Sequence, residues 1–164
     1  MEKPFIKRLE PDDWRLWKGI RLEALKTDPE SFGGAYEEET LKTDEYWRQN
    51  LENHYLLGLF EAEQLVATAG FYHFTSKKIC HRGMIFSVFT KKHARQKGYS
   101  RHLLQEIITY AKSHVKQLHM HCSTKNKEVL TFYQSLGFTV YGTEPNALCV
   151  QNQYYDEHLL VRIF

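Results

Sequence analysis

The residues with the clearest chemical potential lie in a short basic segment that runs from Val88 to Ser100. A predicted strand ends there, a loop with a single glycine, Gly98, follows, and a predicted helix begins at about Ser100. A helix N-terminus presents unpartnered backbone amides and the positive end of the helix dipole, so this junction could bind a phosphate group. Gly98 lets the backbone approach a ligand closely, and Arg95 and Lys97 add positive charge. On local grounds the segment could equally be a solvated basic turn that caps an ordinary helix.

Other residue types that support catalysis are present without a complete arrangement. His119 and His121 share one face of a short predicted strand and could act through water, although surface or core roles are more common for such residues. No third ligand stands at a recognisable metal-binding spacing, so the sequence predicts no metal site. The three cysteines form no CxxC pair, and no local feature lowers a thiol pKa. They indicate reduced, mostly buried thiols; they are Cys80, Cys122 and Cys149.

The elements that must position the basic segment can be read from hydrophobic periodicity. Strands are predicted at 5–9, 55–60, 65–74, 84–90 and 118–122, with a closing hairpin at 139–142 and 154–163. Helices are predicted from Pro11 to about Asp28, from Thr43, from about Ser100, and around 129–136. This order predicts a mixed α/β (α+β) fold with a largely antiparallel sheet.

Composition limits the class of protein. The chain has 164 residues, 42% of them hydrophobic, with no repeat or linker, so we expect one domain over 1–164 and exclude disorder. A net charge of +2 is too weak a field to indicate nucleic-acid binding. No signal sequence and no run of roughly 18 apolar residues is present, so we expect a cytoplasmic protein without membrane contact.

Two segments resemble motifs of one enzyme family. Residues 95–100, R-Q-K-G-Y-S, resemble motif A, (R/Q)-x-x-G-x-(G/A), of the GNAT superfamily of acetyl-CoA-dependent N-acetyltransferases. Residues 126–138, N-K-E-V-L-T-F-Y-Q-S-L-G-F, resemble its motif B, N-x-x-(A/V)-x-x-(F/L)-Y-x-x-x-G-F. The resemblance covers essentially the whole chain. It implies the GNAT fold, a mixed, mostly antiparallel twisted sheet of about six to seven strands flanked by about four helices.

The resemblance implies a cofactor site. The backbone of Val88 and Thr90 should pair with the pantetheine arm of acetyl-CoA, and a nearby amide should polarise the thioester carbonyl. The pyrophosphate should be held by the loop amides of Arg95, Gln96, Lys97, Gly98, Tyr99, Ser100 and Arg101. Gln96 and Ser100 stand where the family usually has small residues, so we expect altered loop geometry rather than lost binding. Asn126 could bond the pantetheine or cap its own helix.

The resemblance also implies part of the catalytic machinery. Tyr133 matches the family's general acid for the departing thiolate, although it could instead be a core aromatic residue. A thiol with a pKa near 8.5 leaves readily, so its contribution should be modest. Met84 stands where many relatives have a glutamate base, and no base can be assigned. Without a nucleophilic cysteine, direct attack by a primary amine in a ternary complex is the expected route.

The acceptor site is expected near the acidic run after the first helix. Tyr36, Glu37 and Glu38 are the candidate acceptor-binding residues, although a solvated acidic helix start explains either glutamate alone. Trp47, Tyr141 and the loop 144–153 should lie nearby. The acceptor could be a cationic small molecule or a peptide amine. An alternative function is a catalytically degenerate domain that binds acyl-CoA as a sensor or interaction module, and a homodimer formed through the C-terminal arm is possible.

Overall fold

The sheet positions every candidate residue. A computed structural model describes residues 2–164 and contains a seven-stranded sheet in the order β1-β2-β3-β4-β5-β7-β6. The strands are β1 (Phe5–Arg8), β2 (Tyr55–Glu61), β3 (Gln64–His73), β4 (Arg82–Thr90), β5 (Gln117–Ser123), β6 (Thr139–Val150) and β7 (Gln153–Ile163). Strands β4 and β5 are parallel and all other neighbours are antiparallel, which confirms the predicted fold class.

Five α-helices lie within the described residues, one more than the sequence predicts. They are α1 (Trp14–Thr27), α2 (Tyr36–Glu39), α3 (Asp44–Asn53), α4 (Tyr99–Lys112) and α5 (Lys127–Ser135). The extra helix, α2, is a single turn and is too short to display a hydrophobic period. Capping side chains fix two of the helix starts: Thr43 accepts a hydrogen bond from the Tyr46 amide at 3.2 Å, and Asn126 accepts one from the Val129 amide at 3.1 Å.

The helices cover the two faces of the sheet with separate hydrophobic clusters. Neighbouring residues of β2 show the division, because Leu57 belongs to the cluster beneath α4 and Leu56 to the cluster beneath α1 and α3. The first cluster includes Leu103, Ile107 and Met120, and the second includes Trp17, Trp47 and Leu51.

Strands β4 and β5 separate soon after they meet. They pair at only three positions, from Arg82 opposite Gln117 to Met84 opposite His119. Beyond Met84 the edge of β4 that faces β5 has no strand partner among the described residues. A bulge bends β4 three residues further on, at Ser87: the register with β3 shifts between Gly70 and Thr68, and Ser87 has a φ of 54°. A gap therefore opens between the carboxyl ends of the two parallel strands.

The C-terminal hairpin is longer than predicted. The expected loop 144–153 is largely strand, because β6 continues to Val150 and β7 begins at Gln153. The pairing shifts register between Glu144 and Leu148, and most residues of this stretch are exposed. An exposed, irregular two-stranded ribbon lacks the alternation of apolar and polar residues that marks a strand in a sequence. None of the described helices is long and apolar enough to cross a membrane.

Candidate active site

Polar side chains hold the β4 bulge that borders the gap between β4 and β5. The buried Thr68 hydroxyl donates to the carbonyl of Ser87 at 3.1 Å. The Ser87 hydroxyl accepts a hydrogen bond from Nη1 of Arg21, also at 3.1 Å. Val88, the next residue, is half-buried. The bulge is therefore held from both neighbouring elements, β3 and α1, and the free edge of β4 has a fixed shape.

The loop that precedes α4 exposes a row of backbone donors. Six successive amides, residues 96–101, donate no hydrogen bond to any residue of the described chain. Gln96 and Gly98 both have left-handed backbones, with φ values of 63° and 79°. Alternation of ordinary and left-handed residues turns consecutive amides toward one side and forms an anion-binding concavity. Gln96 thus adopts the backbone that glycine favours.

The basic side chains of this loop are engaged in ion pairs. Arg95 donates to the carbonyl of Thr90 at 2.9 Å and to Asp28 at 2.7 Å. Lys97 donates to Glu61 at 2.8 Å, and the Tyr99 hydroxyl donates to the same carboxylate at 2.6 Å. These two hydrogen bonds lower the pKa of Glu61. Positive potential in the concavity therefore comes mainly from the amides and the helix dipole.

Further contacts tie the loop and α4 to their neighbours. The hydroxyls of Thr90 and Ser100 are 2.9 Å apart, which joins the end of β4 to the first turn of α4. Arg101 donates to the Ser135 hydroxyl at 2.9 Å. Between α4 and the end of α5 lies an open cavity of about 440 Å³, which we call the α4–α5 cavity; its lining includes Arg101, Gln105, Gly137 and Arg162.

Tyr133 lies in α5 within the hydrophobic cluster beneath α4. Its side chain is 8% exposed, and burial together with the nearby Cys122 thiol raises the pKa of the Tyr133 phenol. Burial and the charge of Glu157 raise the pKa of Cys122 to about 11. Tyr133 therefore keeps its proton at neutral pH, and Cys122 remains a thiol rather than a nucleophilic thiolate. Asn126 uses its side-chain oxygen to cap α5.

The three glutamates of α2 have different environments in the structure. Glu37 and Glu38 are exposed, and the Lys26 ammonium lies 4.4 Å from the centre of the Tyr36 ring. Glu39, which the sequence analysis did not select, forms two hydrogen bonds with Arg21 at 2.9 and 2.8 Å. The side chains of this ion pair are only 13% and 12% exposed.

A cavity of about 210 Å³ lies between α1, α3 and the sheet, and we call it the α1–α3 cavity. It is lined by Trp17, Arg21, Glu39, Tyr46, Trp47, Asn50, His54, Tyr72 and Phe86. Of the residues that the sequence placed around an acceptor, Trp47 lines this cavity; Tyr36, Glu37, Glu38 and Tyr141 are not among its lining residues. The missed residues follow the helical spacing of Trp17 with Arg21 and of Trp47 with Asn50 and His54, a pattern that also marks any buried helix face.

The two histidines of β5 differ in environment. His119 is buried, with Nε2 3.4 Å from Nε of Arg82, and burial lowers its pKa. His121 is exposed, and its Nδ1 is 3.8 Å from a Glu157 oxygen. Within residues 2–164 no group of three His, Cys, Asp or Glu side chains is arranged to hold a metal ion.

A family model and several solved structures match this architecture. A family model described as an acetyltransferase (GNAT) domain matches residues 6–159. A GNAT-family acetyltransferase from Streptococcus pneumoniae superposes with a TM-score of 0.87 at 21% identity, covering 99% of this chain and 100% of that one. A ribosomal-protein-alanine N-acetyltransferase from Brucella melitensis gives 0.84 at 23% identity, covering 98% and 99%.

A third similar structure was solved with a ligand. The yncA protein from Salmonella typhimurium, with its cofactor acetyl-CoA, gives a TM-score of 0.84 at 18% identity, covering 99% of this chain and 94% of that one. A search of curated proteins finds no match. At these identities the solved structures show the shared fold, and the family model shows the family.

Proposed function

The chain belongs to the GNAT acetyltransferase family, and from this premise we propose that it transfers the acetyl group of acetyl-CoA directly to a primary amine. Acetyl-CoA supplies an acetyl group activated as a thioester. The observation that carries the proposal is the gap between β4 and β5, which lies beside six unpartnered amides. An extended arm with a pyrophosphate needs both features, a strand edge and an anion-binding concavity.

The residues present fit acetyl-CoA. In this proposal the amides of residues 96–101 hold the pyrophosphate, whereas the Arg95 amide, expected to join them, donates to the Lys92 carbonyl at 3.4 Å. The free edge of β4 at Val88 and Thr90 pairs with the pantetheine arm. Arg95 and Lys97 hold the loop in shape through Asp28 and Glu61 rather than binding phosphate with their full charge. The α4–α5 cavity, with Arg101 and Arg162 in its wall, adds a cationic surface beside the loop.

The chain's own residues also account for the chemical step. A backbone amide at the β4 bulge, near Val88, polarises the thioester carbonyl as an oxyanion site. Tyr133, protonated because its pKa is raised, donates a proton to the departing thiolate. Cys122 stays protonated and supplies no thiolate for a covalent acyl-enzyme, so in this proposal the amine attacks directly in a ternary complex.

We place the acceptor in the α1–α3 cavity. The cavity includes Phe86 on β4, and Arg21 extends from its wall to the Ser87 hydroxyl at the bulge. An acceptor there lies on the sheet face opposite the helix that carries Tyr133. Tyr36, Glu37 and Glu38 would then lie outside the cavity, where the exposed glutamates can attract a cationic amine before it enters.

A two-stage experiment tests the function. Calorimetric titration should detect binding of acetyl-CoA and of free CoA, and thiol release should then be measured with a panel of primary amines. Amine-dependent thiol release, with one acetyl group added to the amine by mass spectrometry, is the expected result. Failure to bind either nucleotide contradicts the cofactor assignment. Binding without turnover on any amine favours a noncatalytic acyl-CoA-binding domain.

A further inference from the structure

His54 has one ring nitrogen committed to the backbone and one left free. It follows α3, and its Nδ1 is 2.9 Å from the carbonyl oxygen of Asn50. A carbonyl oxygen can only accept, so Nδ1 carries the proton and Nε2 keeps its lone pair. The His54 amide donates to the same carbonyl at 3.2 Å, which fixes the backbone beneath the ring. No residue of the described chain hydrogen-bonds to Nε2.

The surroundings of His54 keep the ring neutral. It packs edge-on against Tyr72 and Phe86, with ring centroids 5.6 and 5.3 Å away, and burial lowers its pKa below the ordinary value of 6.5. The charged groups that line the same cavity are Arg21 and Glu39, which neutralise each other. The cavity phenols, Tyr46 and Tyr72, have pKa values raised by burial and remain protonated. His54 is therefore a neutral base at pH 7.

The walls of the cavity are largely aromatic and include two buried indole rings. The Nε1 atoms of Trp17 and Trp47 are inaccessible to solvent and have no hydrogen-bond partner among the described residues, and both side chains line the α1–α3 cavity. Because neither Nε1 atom is accessible, the two indole rings offer the cavity an apolar surface rather than hydrogen-bond donors. Aromatic walls and a neutral ion pair suit an ammonium group on a short carbon chain.

We propose that the α1–α3 cavity takes a small primary amine on a short carbon chain, and that His54 is the base that deprotonates it. This inference rests on the proposed acetyl transfer. The ammonium group gives a proton to Nε2 of His54, and the free amine nitrogen attacks the thioester carbonyl carbon. The carbon–sulfur bond breaks, and the thiolate of CoA takes a proton from Tyr133. The new amide nitrogen loses its second proton, which restores the Tyr133 phenol by way of solvent. His54 passes its proton to solvent, so the sum is amide, CoA and one released proton.

The variant His54→Asn tests the base. Asparagine retains a donor for the Asn50 carbonyl and lacks a group equivalent to Nε2. His114 offers a matched control, because its Nδ1 is 2.7 Å from the Tyr110 carbonyl four residues earlier, at the exposed end of α4. With ethanolamine or glycinamide as acceptor, we expect H54N to lower kcat by about 100-fold or more and H114N to leave it unchanged. Acetyl-CoA binding should be the same in all three proteins.

Two further readouts separate catalysis from structure. In the wild type, kcat/KM should fall at acidic pH as His54 becomes protonated. This fall, the acid limb of the pH profile, should be absent in H54N. An O-alkylhydroxylamine, whose amine is neutral at pH 7, needs no base, so the H54N defect should shrink to within about fivefold.

The outcomes distinguish the two proposals. Full activity of H54N with an unchanged acid limb, or loss of that limb in H121N instead, overturns His54 as the base while acetyl transfer stands. A wild-type protein that binds acetyl-CoA and acetylates no amine of the panel overturns the proposed function itself.

Discussion

The three consecutive glutamates of α2 differ in what each side chain contacts. Glu39 is paired with Arg21 in a partly buried site, whereas Glu37 and Glu38 face solvent. Glu39→Gln leaves the Arg21 charge uncompensated, so we expect the free energy of unfolding to fall by about 2–3 kcal/mol, below the roughly 3–5 kcal/mol of a fully buried pair. Urea melts of E39Q, E37Q and E38Q would measure the difference.

The two neighbouring variants serve as controls for the first. Each removes the same charge from the same turn, and each should change stability by less than about 0.5 kcal/mol because surface substitutions rarely do more. Equal losses in all three variants would show that the net charge of the run, rather than the Arg21–Glu39 pair, sets its contribution.

Tyr133 is a residue whose chemical contribution can be separated from its packing. Tyr133→Phe removes one oxygen and keeps the ring, so stability should change by less than about 1 kcal/mol. Because CoA thiolate leaves readily, kcat should fall by about 10- to 100-fold, at or below the low end for general acids. Its raised pKa also predicts no loss of wild-type kcat between neutral pH and about pH 10 from this group. A kcat equal to wild type in Y133F would exclude it as the acid.

At the scale of elements, the start of α4 depends on backbone conformation more than on side-chain charge. Gly98 has a φ of 79°, and an added Cβ would meet no atom within 4 Å. Gly98→Ala therefore introduces strain without a clash, and we expect a loss of about 1 kcal/mol in stability. Because the strain disturbs the amide concavity, acetyl-CoA affinity should fall by at least about fivefold, measured by calorimetry.

Another glycine provides the matched control within α1. Gly19 has an ordinary helical backbone and also has open space around an added Cβ. Gly19→Ala should raise stability by about 0.5–1 kcal/mol, because alanine favours the helix, and should leave acetyl-CoA affinity unchanged. A loss of stability in Gly98→Ala and a gain in Gly19→Ala would establish that the backbone angle at Gly98, rather than the removal of a glycine as such, sets the effect on the loop.

Elements with strong local signals could be predicted from sequence, and those defined by tertiary contacts could not. The loop from Arg95 to Ser100 and the apolar face of α4 are each encoded within a few residues, so the strand–loop–helix junction was predictable. The α1–α3 cavity brings His54 together with Arg21 and Phe86, which are distant in sequence. Short-range periodicity carries no information about contacts between residues that are distant in sequence, so neither Glu39 nor His54 could be selected as a site residue.

At the scale of the whole molecule, the two faces of the sheet that meet at the gap between β4 and β5 are built differently. The α4 side carries Tyr133, and the loop amides lie at the start of the same helix. The α1–α3 side carries a cavity lined by aromatic side chains and one neutral ion pair. The bulge at Ser87 contacts both β3 and α1, so it fixes the passage between the two sides. A donor and an acceptor could therefore approach from opposite faces and meet without rearrangement of the sheet.

The stability of the whole fold should depend on pH through its buried histidines. Burial lowers the pKa of both His54 and His119 from the ordinary value of 6.5, so below that pH the unfolded chain binds more protons than the folded one. The free energy of unfolding should therefore fall as the pH drops below 6.5 and gain nothing further from these groups above it. Glu157 acts in the opposite sense, since its raised pKa stabilises the fold below about 4.5, an effect that is lost as pH rises through its folded pKa.

The two effects have opposite signs, so urea melts of histidine variants between about pH 5.5 and 7.5 separate the histidine contribution from that of Glu157. We expect the slope of stability against pH to diminish in His119→Gln and further in the double variant with His54→Asn, and to persist in H114N, whose histidine is exposed. Because His119 lies outside the α1–α3 cavity, H119Q should flatten the stability curve without removing the acid limb of kcat/KM. A stability slope that survives both substitutions would assign the acid sensitivity to other groups and leave the catalytic limb as the independent measure of His54.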